Sequence, residues 1–456
     1  MKTLLKKNII VTVEVGPRET IPATYLCAQL AKSGFRVFLT TNRAAKILEH
    51  RIENCIFLHK STIEKYAIRY KKTMGATVCF LDAEMGIPIP DKLLEVVCHD
   101  RFIEVNSEKY DTVFALGEKY KTVMQKMPEF SGVKVVASGW PRFDVLLHRD
   151  GDFFKKEAEK IKQKYGKFIL IVSSFGFVTA NEFKLSMSAD KEFFGDEYQN
   201  PAWHYFNEFV EMTKKIASSY DGKVVFRPHP SESLNSWRKL IGNHNNIHIE
   251  GGGDINIYIS ACDRLVQFRS SSTLEAAFLG VENLSLKIDG KKFDTDGPLY
   301  RLRNEFDSVE GLLSYIEKKP PSKAEVKENA FKEVRNYISN LDGNASAIIV
   351  DELLTKPLLP VLEPNIRYLI IVLHNFKMKL FDLFEKVFFS TIFSPTKWKN
   401  LVSYKDKLES PLERSSVVHC IDGFSDLSGF EIKNISRDLV QIDFEKNNTE
   451  YNGSHD

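Results

Sequence analysis

The feature that most constrains this chain is an alternation that occurs twice, in which short β-branched runs are separated by longer amphipathic stretches. Runs at 9–15, 35–40, 55–59, 77–81, 112–116 and 134–137 make up the first set, and runs at 168–172, 223–227, 247–250, 264–268 and 283–287 the second. Parallel strands need a crossover of a dozen or more residues, usually a helix, so this grammar predicts two parallel α/β sheets. Between the sets, 150–167 is rich in Lys and Glu and reads as an exposed helix or linker at a domain boundary. Two Rossmann-like domains facing a cleft are expected, at 1–150 and at 151–355, the second closed by helices within 309–354. The alternation stops at Pro357, so 356–456 is expected to be a helical or irregular extension.

Length and charge agree with that organisation. The 456 residues suit two or three domains, and 43% hydrophobic with 27% charged residues is a globular balance. A net charge of +2, from 63 basic and 61 acidic side chains, gives none of the basic field a nucleic-acid binder needs, so no nucleic-acid partner is expected. The six cysteines form no CxxC pair and no zinc-like spacing, and most lie in apolar runs, as expected of free thiols in a reducing compartment. Near the N-terminus, Glu14 and Arg18 interrupt the apolar run before a secretory core can form, and the reading is a first strand of a cytoplasmic protein.

One stretch of the extension has a composition of its own. Segment 366–393 places Phe376, Phe381, Phe384, Phe388 and Phe389 among Lys377, Lys379 and Lys386, with a longest apolar run far below the ~20 residues a spanning helix needs. It suits either an interfacial helix on the inner face of the cytoplasmic membrane or a helix packed on the second domain.

The chemistry-bearing motifs sit where strands end. Arg227-Pro228-His229-Pro230-Ser231-Glu232 follows the run 223–227, and in doubly wound domains ligands bind at the carboxyl ends of strands. Flanking prolines stiffen the turn and fix the direction of His229, which can hydrogen-bond or protonate a leaving phosphate, with Arg227 adding charge. Ser270-Ser271-Ser272-Thr273 follows the run 264–268 and opens a helix, so its hydroxyls and amides form a candidate phosphate cradle. Ser173 and Ser174 follow the run 168–172 and, with Asn181, are candidate donor contacts; Arg18 at the first helix start could meet an anionic group. Gly139-Trp140-Pro141-Arg142-Phe143-Asp144 reads as a hinge turn with Arg142 paired to Asp144. Gly251-Gly252-Gly253 reads as a turn before a helix, and Asp294-Thr295-Asp296 as loop acids rather than a metal site, so no metal is expected.

The His-Pro turn followed by the Ser/Thr cluster resembles the paired motifs of bacterial sialyltransferases and polysialyltransferases, GT-B enzymes that bind CMP-activated sugars. With Arg18-Glu19, Leu81-Asp82-Ala83-Glu84-Met85-Gly86, Gly139 to Asp144 and Ser173 to Gly176, the wider pattern is similar to bacterial surface-carbohydrate proteins related to capsule Kdo and other nonulosonic-acid transferases. The resemblance covers about residues 8 to 290 and leaves out the tail. That family carries an acidic stretch near Leu-Asp-Glu-Glu-Gly-Gly; here Ala83 and Met85 interrupt it, which leaves Asp82 and Glu84 as candidates for its catalytic base, Glu84 ahead.

The resemblance implies a GT-B glycosyltransferase that moves a nonulosonic acid from a CMP donor, a co-substrate, to a glycan or lipid-linked glycan acceptor, with no cofactor. His229 and the Ser/Thr cluster would then face the departing phosphate, and Glu84 or Asp82 the acceptor. Two other readings stand beside it. CDP-glycerol-type glycerophosphotransferases share the two-domain plan with His-Pro and Ser/Thr elements, and the interrupted acidic stretch also suits a non-catalytic assembly scaffold.

Overall fold

A computed structural model describes residues 7–13, 16–49, 51–59, 67–81, 91–102, 105–148, 152–175, 196–230, 232–268, 270–287, 297–359, 417–418, 421–422, 430–436 and 439–444. Asp82, Glu84, Asn181, Ser231, Asp294, Asp296 and the segment 366–393 lie outside the described residues.

The first sheet holds β1 (Asn8–Val13), β2 (Arg36–Thr41), β3 (Cys55–His59), β4 (Thr77–Leu81), β5 (Thr112–Ala115) and β6 (Lys134–Ala137). These six are mutually parallel in the order β2-β1-β3-β4-β5-β6. The second holds β7 (Phe168–Val172), β8 (Lys223–Arg227), β9 (Ile247–Ile249), β10 (Arg264–Gln267), β11 (Glu282–Leu286) and β12 (Asn304–Phe306). All are parallel, in the order β12-β11-β10-β7-β8-β9. Helices cover the sheets, so a central strand such as β7 is buried along its whole length and reads as an unbroken apolar run. This is the GT-B architecture expected from the alternation.

Each strand order reverses beside the first strand of its domain, between β1 and β3 and between β7 and β10. Loops leaving the two strands at such a reversal run to opposite sides of the sheet and open a crevice between them, where ligands bind in open α/β sheets.

The linker 150–167 contains the helix Asp152–Tyr165, consistent with its charged pattern. The chain later returns to the first domain. Ser339 N–H donates to the Leu116 carbonyl at 3.0 Å and Asn340 Nδ2 to the Ser138 carbonyl at 2.8 Å. Gly139 has φ +76°, and a Cβ there would collide with the Ser339 carbonyl, so both the backbone angle and the close approach require glycine.

The helix Ala345–Leu354 also packs on the first domain. The buried Asp144 carboxylate accepts the N–H groups of Ala345 at 3.0 Å and Ser346 at 2.6 Å, which satisfies two open donors of that helix start. This corrects the expected Arg142–Asp144 pair. Residues two apart on a helix do not face each other, and Arg142 instead forms a buried ion pair with Glu275 of the second domain.

The tail differs from a purely helical or irregular extension. It contributes β13 (Phe430–Ser436) and β14 (Leu439–Phe444), an antiparallel hairpin, and β14 pairs antiparallel with β2, extending the first sheet at its β2 edge. Leu439, Val440 and Ile442 are fully buried there, so the edge of β2 is covered rather than left open to another chain. Among the described residues no helix is long and apolar enough to cross a membrane. Cys27, Cys55, Cys79, Cys98 and Cys262 are buried, and burial pushes the Cys79 thiol up to about 12.

Candidate active site

In the second domain β10, β7 and β8 are neighbours, so the loops that follow them meet at one edge of the sheet. Those loops carry Ser270 to Thr273, Ser173 with Ser174, and His229. The spacing of the sequence motifs is therefore collapsed into one place, beside the β7/β10 reversal.

The loop after β7 is tied to both neighbours. Ser174 Oγ donates to the Phe268 carbonyl after β10 at 2.6 Å, and Ser173 Oγ accepts the His229 N–H after β8 at 3.3 Å. Ser173 is buried, whereas His229 and Pro230 are exposed at the cleft edge. The loop after β10 is held by its own bonds: Ser270 N–H to Gln267 Oε1 at 2.9 Å, Ser270 Oγ to Ser272 Oγ at 2.7 Å, and Thr273 Oγ1 to the Ser270 carbonyl at 2.8 Å. Ser272 and Thr273 are buried; Ser271 is exposed, and its hydroxyl makes no capping bond to the helix Ser272–Phe278.

Arg227 is not presented openly to the cleft. It is buried, its Nη2 donates to the carbonyls of Gly252 at 2.5 Å and Gly253 at 3.1 Å, and its guanidinium lies 4.3 Å from the centroid of the Tyr258 ring. It supports the turn at Gly252 and Gly253, both at positive φ, from which Asp254 caps the helix Ile255–Ala261 by accepting the Asn256 N–H at 2.8 Å.

Across the cleft, the β1/β3 reversal of the first domain holds a small pocket with a cavity volume of about 60 Å³. Val11, Val13, Leu26, Leu58 and Trp140 give it an apolar wall, with Arg18 and Arg142 among its polar residues. Leu81, the residue before Asp82, also lines it. Thr12 Oγ1 is buried at this pocket without a hydrogen-bond partner. Arg18 is ion-paired to Glu19 at 3.0 Å and keeps 27% of its side chain exposed, enough to meet a ligand.

The charges of the two domains reach one another. The cleft walls around the His229 imidazole take away part of its solvation although the residue is exposed at the edge, and the Arg18 guanidinium adds repulsion of its protonated form; both hold its pKa below the ordinary histidine value. Both effects favour the neutral imidazole, and Arg18 is the permanent cation of the two. Arg142 is lowered to about 10 by burial, with Arg18 adding repulsion and Asp254 and Glu19 countering it.

The last residue of the His-Pro motif, Glu232, has no role in the sequence reading, yet its carboxylate is buried beside the turn. Glu232 accepts the Phe175 N–H at 2.5 Å and the Trp237 Nε1–H at 2.7 Å, and Ser173 Oγ donates to it as well. Its only sequence signal is an acidic residue three positions after His229 and five before a tryptophan that is fully buried.

No protein-family model matches the chain, nor does any curated protein sequence. Among solved structures the chain is similar to the wall teichoic acid polymerase TagF at 14% identity and a TM-score of 0.46, over 76% of this chain and 88% of that one. It is also similar to the UDP-GlcNAc 2-epimerase of Methanocaldococcus jannaschii, at 12% identity and a TM-score of 0.47, over 77% of this chain and 100% of that one. For the Neisseria meningitidis UDP-GlcNAc 2-epimerase the values are 14%, 0.45, 77% and 100%. Likeness this distant carries nothing about chemistry, which has to be read from this chain's own residues.

Proposed function

We propose that the chain is a two-domain transferase for a cytidine-nucleotide-activated donor, and that the group it moves is linked through phosphate, as in CDP-glycerol-type glycerophosphotransferases. The observation that carries this reading is the placement of His229 in the turn after β8, beside the β7/β10 reversal, with Arg18 lining the pocket at the β1/β3 reversal near enough that its charge acts on the imidazole. Transfer of a phosphoryl-linked polyol needs a positive charge on the phosphate oxygens and a lone pair for the acceptor's proton. Arg18 supplies the first and His229 the second. The acceptor oxygen bonds to phosphorus, its proton passes to the imidazole, and the bond to CMP breaks, so that CMP leaves with the electron pair. Ser271, exposed on the Ser270–Thr273 loop at the same edge, is assigned to the donor's phosphates, whereas Ser173, Ser174 and Thr273 spend their hydroxyl protons on Glu232, Phe268 and Ser270 and hold the loops in place. Cytidine as the base follows from the resemblance of the His-Pro and Ser/Thr motifs.

Transfer of a nonulosonic acid from a CMP donor is the second reading, favoured by the same motifs. It uses His229 as a donor to the departing phosphate, by hydrogen bond or by proton, and it takes its base from Asp82 or Glu84. A wall teichoic acid polymerase among the similar folds agrees with the order of the two readings but is too distant to support it. Incubation with CDP-glycerol and, separately, with CMP-linked nonulosonic acids, following CMP release, decides between them. Release from CDP-glycerol alone is expected, and release only from the CMP-sugars overturns the order. A non-catalytic scaffold would release CMP from neither.

A further inference from the structure

Three loops converge at the β7/β10 reversal, and the turn after β8 carries the imidazole. Pro228 and Pro230 restrict the backbone on either side of His229. Two hydrogen bonds then fix His229 itself. Its N–H donates to Ser173 Oγ at 3.3 Å, and its carbonyl accepts the Glu232 N–H at 2.8 Å. Both bonds lead to Glu232, one through the residue's own backbone and one through the serine hydroxyl that donates to its carboxylate.

The same carboxylate spans adjacent strands. Oε1 accepts the Phe175 N–H after β7, while Oε2 takes the Trp237 indole from the helix Leu234–Ile241 together with the Ser173 hydroxyl. A buried carboxylate is retained at a cost unless every lone pair is used, and here three donors reach it from two places in the fold, the loop after β7 and the helix Leu234–Ile241. An apolar or neutral residue would fill the volume; only an acceptor on both oxygens gathers these three donors.

We propose that Glu232 is a positioning residue: its carboxylate clamps the loop after β7 to the turn after β8 and thereby sets the direction in which His229 faces the cleft. This deepens the reading of His229 as the group that meets the acceptor and rests on it. The clamp has a further physical signature, since burial pushes the Glu232 carboxyl up to about 6 against the pull of the hydrogen bonds it accepts. Charged groups that act on His229 itself come from the other domain, namely Arg18.

Glu232→Gln tests this, because the amide keeps the shape and loses one acceptor. If its oxygen stays on the Phe175 N–H, its NH₂ group faces the Trp237 indole N–H, and two donors confront each other. Two measurements on the full chain separate the clamp from the functional reading. The first is the His229 imidazole ¹³Cε1 resonance and its titration, which needs no substrate. The second is kcat and KM for CDP-glycerol. The clamp predicts a displaced or broadened His229 resonance and a kcat lowered about tenfold to a hundredfold, as for a misplaced reacting group, with KM within about threefold. A His229 resonance and titration identical to the unsubstituted protein overturns the clamp whatever the activity. Absence of turnover by the unsubstituted protein on any cytidine donor overturns the functional reading, and the resonance alone then decides the clamp. Should Glu232→Gln fail to give a cooperative melt, Ser173→Ala removes only the hydroxyl between Glu232 and the His229 N–H. It is expected to shift the same resonance, and an unchanged resonance in that variant likewise overturns the clamp.

Discussion

Arg142, at the start of the helix Pro141–Leu147 that follows β6, is ion-paired to Glu275 in the helix that follows the serine cluster, and both are buried. The pair joins the wall of the first domain's pocket to the loop at the second domain's strand reversal. Removing one partner of a buried pair leaves a charge without compensation and typically costs about 3–5 kcal/mol. Arg142→Met is therefore expected to lower the unfolding free energy from urea denaturation by that order. Arg142→Met combined with Glu275→Met is expected to lose less than the single variant. Additive losses would show that the two side chains do not interact.

Asp144 gives a stability signature in pH. Burial outweighs its hydrogen bonds from Ser346 and Ala345 and raises its carboxyl from 3.8 to about 6. Between those values the folded chain keeps a proton that the unfolded chain has lost. Its contribution is therefore fully present below about pH 4, declines as pH rises, and is gone above about pH 6. The stability of the unsubstituted protein relative to Asp144→Asn should fall by about 3 kcal/mol from pH 4 to pH 7. A difference that does not change with pH in chemical denaturation would contradict the assignment.

Arg18 and His229 give a direct test of whether the two domains face each other as described. Replacing Arg18 by Gln removes a repulsion on the imidazolium, so the His229 pKa should rise. An NMR titration of the His229 ring reads this, and the acid limb of kcat for CDP-glycerol should move to higher pH in step. An unmoved midpoint would place Arg18 away from His229.

Much of this is legible in the sequence, for definable reasons. Strands β1 to β11 announce themselves because parallel strands buried on both faces need unbroken apolar runs, as in Phe168–Val172. β12 does not, since Asn304-Glu305-Phe306 is three residues long at an edge and carries too few side chains for a period. β13 and β14 escape a sequence reading because Glu431, Lys433, Gln441 and Asp443 alternate with the apolar positions in a charged tail, and pairing with β2 spans most of the chain. His229 and the serines stand out through their prolines and their position after strands. Glu232 does not, because its role depends on Ser173, Phe175 and Trp237 arriving from elsewhere. Asp144 draws the wrong partner from sequence because the nearest opposite charge along the chain is not the nearest in space.

Segment 366–393 lies outside the described residues, and its membrane role is a proposal from composition alone: phenylalanines for the acyl boundary and lysines for anionic head groups. A chain cut at Leu354 is a poor control, since it also removes β13 and β14 from the first sheet. Replacing Phe384, Phe388 and Phe389 by Ser in the full chain avoids this. Flotation with vesicles containing anionic lipid should fall at least several-fold in that variant, and equal flotation would assign the segment to another role.

His229 is proposed above to take the acceptor's proton during transfer from a cytidine diphosphate donor, and the rest of the mechanism depends on it. Single-turnover CMP release from CDP-glycerol, measured side by side for the unsubstituted protein and His229→Ala, tests it most directly. Release by the first and a rate about a hundredfold or more lower for the second is the expected result, matching the loss of a positioned base. Equal rates for the two proteins, or no release from CDP-glycerol by the unsubstituted protein, would contradict it.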